Sequence, residues 1–228
     1  MSPKMSAVLD PATGHGAAEK ARKEAHGKAA TAAMEVEKDA VTPCPLDVQQ
    51  LCRNKKQDEF EKKYNIAPGC GYYRRRYENF LTRNPKLTPP TYYLEYGEKY
   101  CNKFTRETYA ELTSEGREWL DGVKCGLQQG IEDMLQDPEK MYLEYLETDF
   151  TEAAFDMHAP TYLANGLADL DVSDILKIGW TAKEEFIPFK GDYLGPTYKQ
   201  AKDVFLPVLK GRTAENTLPD WMLFKNTK

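Results

Sequence analysis

TSEGREWLDGVKCGLQQGIEDMLQ, residues Thr113 to Gln136, is the stretch on which the fold reading turns. Leu120, Val123, Leu127, Ile131 and Met134 recur at three- and four-residue steps, the repeat of one face of a helix. Thr113 can start that helix, and Asp137-Pro138 can stop it while opening the next. Gly122, Gly126 and Gly130 form a second row at i, i+4, i+8. Each glycine costs a helix roughly 1 kcal/mol relative to alanine, so three in one ridge predict close approach of another helix. This segment reads as the central strut of a helical domain.

Working outward, the same periodicity recurs on both sides. Upstream, Asp47 caps a helix with Val48, Leu51, Cys52, Phe60 and Tyr64 inward, ending before the turn signal Pro68-Gly69-Cys70-Gly71. Tyr73, Tyr77, Phe80 and Leu81 share the face of the next helix, interleaved with Arg74, Arg75 and Arg76. Pro90 opens another, whose stripe is Tyr93, Tyr96, Tyr100 and Phe104 and reads as core. Downstream, MYLEYLETDFTEAAFDMH is apolar on one side, with a bend expected at Thr148 or Asp149 from the Asp149-x-x-Glu152 capping pattern. Pro160 opens a short helix closed at Asn165-Gly166 or extended to Leu170, and Asp171 caps DVSDILKIGW. Thr181-x-x-Glu184 reads as a further capping box, FKGDYLGP as a loop, and Pro196 as the start of a last helix kinked at Pro207. Trp221 and Phe224 are expected to dock on the domain. No stretch alternates with period two. The prediction is an all-α, irregular multi-helix bundle of about seven to nine helices.

Residues 1–43 are rich in Ala, Lys and Glu and poor in large apolar side chains, which predicts a flexible tail ahead of a single helical domain over 44–228. His15 and His26 fall in that tail and read as incidental. Charge runs from neutral in the tail to +5 over Cys44–Ala110 and −10 from Glu111 onward. An acidic second half argues against nucleic acid as a ligand and for attraction between the halves, with the arginines of 74–76 pairing with downstream carboxylates. No window is apolar enough for a transmembrane segment. Lys4 is not followed by an apolar core, so a standard export signal is not expected.

Nucleotide and zinc-protease motifs are absent. Cys44, Cys52, Cys70, Cys101 and Cys125 show no metal-ligand spacing, and most read as buried reduced thiols. Pairing among Cys44, Cys52 and Cys70 would require an oxidising compartment, and the odd count leaves one cysteine over. Three constellations can carry chemistry. Asp149, Glu152 and Asp156 lie at i, i+3, i+7 with His158 at the helix end, a geometry for a divalent cation or an acid/base pair, although a solvated acidic face is the plainer reading. Cys101 with His158 can form a thiol nucleophile and base, oriented by Asp156 or Asn165, against the plainer reading of an inert thiol beside an aromatic stripe. Glu98 can serve as the general acid of a lysozyme-like site. The candidate catalytic residues are therefore His158, Asp156, Glu98 and Cys101; no cofactor is named and the metal is left open.

YGEKYCNKF, LTSEGREWLDGVKCGLQQGIEDML and FDMHAPTYLANGLADLDVSDILKI, spread over roughly Tyr92 to Trp180, resemble uncharacterised helical modules found beside type VI secretion and Rhs loci of Gram-negative bacteria. VTPCPL resembles the junction that precedes such cargo. These are packing signatures rather than a catalytic fingerprint. The resemblance implies an effector injected into a target cell's periplasm, with cell-wall hydrolysis the chemistry to test first, and with a secretion-machinery component and a cognate immunity protein as partners. The alternative is a non-enzymatic helical adaptor or chaperone.

Overall fold

A computed structural model describes residues 40–182 and 204–212. The chain divides into two compact units, residues 1–40 and 41–228. Residues 1–39 of the tail, the 184 end of the capping box, the FKGDYLGP loop, the start of the last helix at Pro196, and Trp221 and Phe224 lie outside the described residues.

Among the described residues every regular element is helical, as the all-α reading expects. The α-helices are α1 (Val48–Cys52), α2 (Glu59–Lys63), α3 (Tyr72–Arg83), α4 (Lys99–Lys103), α5 (Ser114–Gln136), α6 (Glu147–Asp156), α7 (His158–Ala164), α8 (Val172–Thr181) and α9 (Leu206–Lys210). Side-chain caps account for three of their starts. Asp47 accepts from the Gln50 amide at the head of α1, and Thr113 accepts from the Gly116 amide at the head of α5. The first predicted helix is in fact two, because Asp58 and Glu61 form a reciprocal capping box that opens α2 afresh. Gly69 takes φ 78° in the predicted turn, a conformation natural to glycine. The Thr148/Asp149 bend lies slightly earlier, at Leu146, between a 3-10 segment (Met141–Tyr145) and α6.

The helix around α4 departs from the prediction. Two π-helical segments, Tyr93–Glu98 and Phe104–Thr108, flank it. Widening the turn twice shifts the side-chain register, so Tyr92 and Tyr93 are both buried while Tyr96, Tyr100 and Phe104 are not fully covered. Segments of this kind recur at functional sites.

α5 is the strut, and it serves two cores. Ile131, Met134 and Leu135 from its second half pack with Val48, Tyr72, Tyr73, Tyr92, Tyr93, Phe150 and Phe155. Trp119, Leu120 and Val123 from its first half pack with Leu167, Leu170, Ile175, Ile178, Phe205 and Leu209. On α3 the inward face is Tyr72, Tyr73, Arg76 and Phe80, whereas Leu81 is exposed. Arg76 turns inward because Glu132 of α5 meets it, and both are almost fully buried. The pairing of arginines with the acidic half holds for Arg76 with Glu132 and Arg83 with Glu144. Arg74 and Arg75 instead pair with Glu98 and Asp58, carboxylates within the basic segment 44–110.

The glycine ridge does meet another helix, as its spacing predicts. Its partners are Asn165, Thr161 and Met157, opposite Gly122, Gly126 and Gly130 respectively, an i, i+4, i+8 row running the other way along α7. A Cβ on Gly126 would lie 2.7 Å from Thr161 Cγ2, and a β-branched side chain has few rotamers to yield. Gly126→Leu is expected to cost about 1 to 3 kcal/mol of stability, read by urea denaturation. An unchanged midpoint would mean that α7 is not held against the ridge.

The candidate site is an aromatic cavity

Where the two cores meet along α5, they enclose a cavity of about 120 Å3. Tyr73, Tyr92 and Phe155 close it from one core, and Trp119, Val123, Ile178 and Phe205 from the other. The π-helical segments contribute Tyr96, Gly97, Phe104 and Thr105. Gly97 permits this wall, since a Cβ there would sit 2.3 Å from the ring of Tyr73. Among the described residues Lys124 carries the one formal charge of the lining. It faces Asp121 Oδ1 at 3.4 Å, and burial lowers its pKa.

His158 is the polar centre of the cavity. Its ring stacks on Phe155 at 5.1 Å and meets Tyr92 and Tyr162 edge-on. Nδ1 lies 3.1 Å from the carbonyl oxygen of Phe155. A carbonyl only accepts, so Nδ1 carries the proton and Nε2 keeps its lone pair in the neutral ring. Burial lowers the pKa to about 4, against smaller opposing effects from the Phe155 and Ala154 carbonyls. The imidazole is therefore neutral at pH 7.

Three phenol groups stand around it. Tyr72 and Tyr93 donate their hydroxyls to Glu132 and Glu144. The hydroxyls of Tyr73, Tyr92 and Tyr162 make no hydrogen bond to any described residue. Burial raises the pKa of all three, and the neighbouring phenols add to it at Tyr92 and Tyr162. They stay protonated, as donors.

The four predicted catalytic residues separate. His158 and Cys101 line the cavity, while Glu98 and Asp156 do not. Cys101 is no nucleophile in this state, because its sulfur is bonded to Cys70. Glu98 is gripped by Arg74, whose Nε and Nη2 donate at 2.7 and 2.6 Å. Asp156 and Glu152 are exposed, on the side of α6 away from buried Phe155 and Ala154. The acidic face and the imidazole thus do not converge, and among the described residues no three metal-ligating side chains cluster.

The expected reduced thiols are corrected as well. Cys52 is bonded to Cys125 and Cys70 to Cys101, and Cys44 is the free, exposed one. Pairing among Cys44, Cys52 and Cys70 does not occur. Each bond joins the early cysteines to a later helix, a partnership fixed by the packing of α1 on α5 and of the 67–70 turn on α4.

The neutral state of His158 has a measurable consequence. The folded ring titrates near pH 4 and the unfolded ring near 6.5, so between those values only the unfolded chain takes up the proton. Stability from this group is fully present above about pH 6.5 and falls as pH drops toward 4, by roughly 2 to 3 kcal/mol. His158→Phe should flatten that part of the stability profile relative to wild type. Parallel profiles from pH 7 to 4 would show that the ring is solvated.

Fold and site together define an all-α protein with an aromatic cavity between two cores. No family model, curated protein or solved structure matches the chain. Among the described residues no helix is long and apolar enough to cross a membrane.

Proposed function

We propose that this chain is a secreted antagonism effector that acts in the oxidising envelope of a target bacterium. The observation that carries the reading is the pair of disulfides, Cys52–Cys125 and Cys70–Cys101, which take up four of the five cysteines. Such bonds persist in oxidising compartments and are rare in the cytosol. The resemblance over Tyr92 to Trp180 supplies the effector class, with a secretion component and an immunity protein as partners.

The test is expression of the full chain with and without an export signal. Growth arrest confined to the exported form, with a single reactive thiol per purified molecule, supports the proposal. A harmless exported protein, or one with five reactive thiols, removes its basis. Cell-wall hydrolysis is tested on purified peptidoglycan. One observation favours the second reading, a non-enzymatic adaptor or chaperone. Among the described residues the cavity has no carboxylate in its lining, whereas glycoside cleavage ordinarily uses two. An exported chain that is inert on peptidoglycan yet co-purifies with a secretion component would support that reading.

A further inference from the structure

We infer that the cavity between the two cores is a binding site for a small, neutral aromatic molecule carrying one hydroxyl or N–H group, of the size of phenol or indole. The inference does not rest on the compartment or on the effector reading.

Size and wall chemistry set the skeleton of the ligand. A volume of about 120 Å3 is of the order of the ~150 Å3 apolar cavity that accepts benzene in another protein. The walls are aromatic rings in edge and face orientations, including Tyr92, Phe155, Tyr162 and Phe205. A flat ring entering among them extends contacts the side chains already make with one another.

The polar groups set the rest. Tyr73 and Tyr92 are 3% and 2% exposed, and each carries a hydroxyl with no hydrogen bond to a described residue. Unlike their neighbours Tyr72 and Tyr93, whose hydroxyls have glutamate partners, they leave theirs available to a molecule that enters the cavity they line. His158 offers Nε2 as an acceptor, its other nitrogen being held by the Phe155 carbonyl. A ligand O–H or N–H donates to Nε2, and a ligand hydroxyl can in turn accept from a tyrosine. The ligand is neutral because Lys124, the one charged side chain among the described residues of the lining, already faces Asp121.

Titration calorimetry of the full-length, oxidised protein with phenol, indole, benzene and benzoate tests this. Phenol or indole should bind with Kd on the order of 1 mM or tighter, benzene at least tenfold more weakly, and benzoate more weakly than phenol. His158→Phe removes the acceptor while keeping a stacked ring, and Tyr92→Phe removes one hydroxyl. Each should weaken phenol by about tenfold and leave benzene unchanged. No binding of phenol or indole to the folded protein overturns the inference. So does equal binding of phenol to wild type and both variants, which would place it on the surface. Tighter binding of benzoate than of phenol overturns the neutral class and assigns the site to anions through Lys124.

Discussion

Replacing Glu132 with alanine is expected to lower the unfolding free energy by about 3 to 5 kcal/mol, the usual cost of leaving one buried charge without its partner. Glu132 is where three parts of the chain meet. Its Oε1 accepts from Tyr72 Oη at 2.7 Å and Arg76 Nε at 2.5 Å. Its Oε2 accepts from the Leu46 amide at 3.0 Å and from Arg76 Nη2. Arg76 Nη2 also donates to the Cys44 carbonyl at 3.0 Å. With Arg76 at 0% and Glu132 at 4% side-chain exposure, water cannot replace what is removed. Truncation strands the guanidinium, the Tyr72 hydroxyl and a backbone amide together. Arg76→Met combined with Glu132→Leu removes both charges and should be less destabilised than Glu132→Ala alone, though the Leu46 amide and Cys44 carbonyl still lose partners. Denaturant titrations of the three proteins settle the point. A cost below about 1 kcal/mol for Glu132→Ala would mean the pair is solvated and behaves like a surface bridge.

That hub also shows where sequence reading stopped. α5 was legible from Thr113 to Gln136 because its cap, its stripe and its stop are all local, and local signals are what periodicity detects. Glu132 lies off the stripe and reads as an outward charge. Its burial follows from Arg76, 56 residues earlier, and no pattern along the chain reports a partner at that distance. The π-helical segments were hidden for a related reason. Residues 93–108 keep an aromatic repeat, and a widened turn changes which tyrosines are covered without changing composition. The stripe Tyr93, Tyr96, Tyr100 and Phe104 was therefore read as core, when three of its four members line a cavity.

The candidate site was legible only as a list of chemically versatile side chains. His158 is a site residue in the structure, but for the opposite physical reason. Its value is a neutral ring in an apolar wall rather than an imidazole beside carboxylates, because α6 turns Asp156 outward while α7 carries His158 in against Phe155 and Tyr162. Tyr73, Tyr92 and Tyr162 were missed as a polar group. Spaced along three elements, they come together only when α3, the 93–98 segment and α7 converge. The one available signal was an excess of tyrosine over phenylalanine, 14 to 9, since a purely apolar core has no use for the hydroxyl.

Removing the Cys52–Cys125 bond, by Cys52→Ala with Cys125→Ala, is expected to cost about 4 kcal/mol through the entropy returned to the unfolded chain. The bond ties α1 to the middle of α5 across 73 residues. Without it α1, five residues long, keeps only Val48 of its two fully buried side chains, so its release is the first consequence. Cys70–Cys101 spans 31 residues and lies wholly inside that loop, which makes the two contributions less than additive. With the inner bond closed, the outer one closes a shorter effective loop. Dithiothreitol should therefore destabilise the wild type by more than the summed costs of the two double variants, each of which keeps the other bond, and it should change the Cys52→Ala, Cys125→Ala protein through the inner bond alone. Guanidinium titrations with and without reductant measure all four values. The outcome bears on where the chain works. A loss of this size leaves little of the typical 5 to 15 kcal/mol stability of a domain, so a chain kept reduced in the cytosol would be largely unable to hold α1 in place, while one reaching an oxidising envelope would lock it. Equal stability with and without reductant would separate the fold from its disulfides and take away the physical support for an envelope site of action.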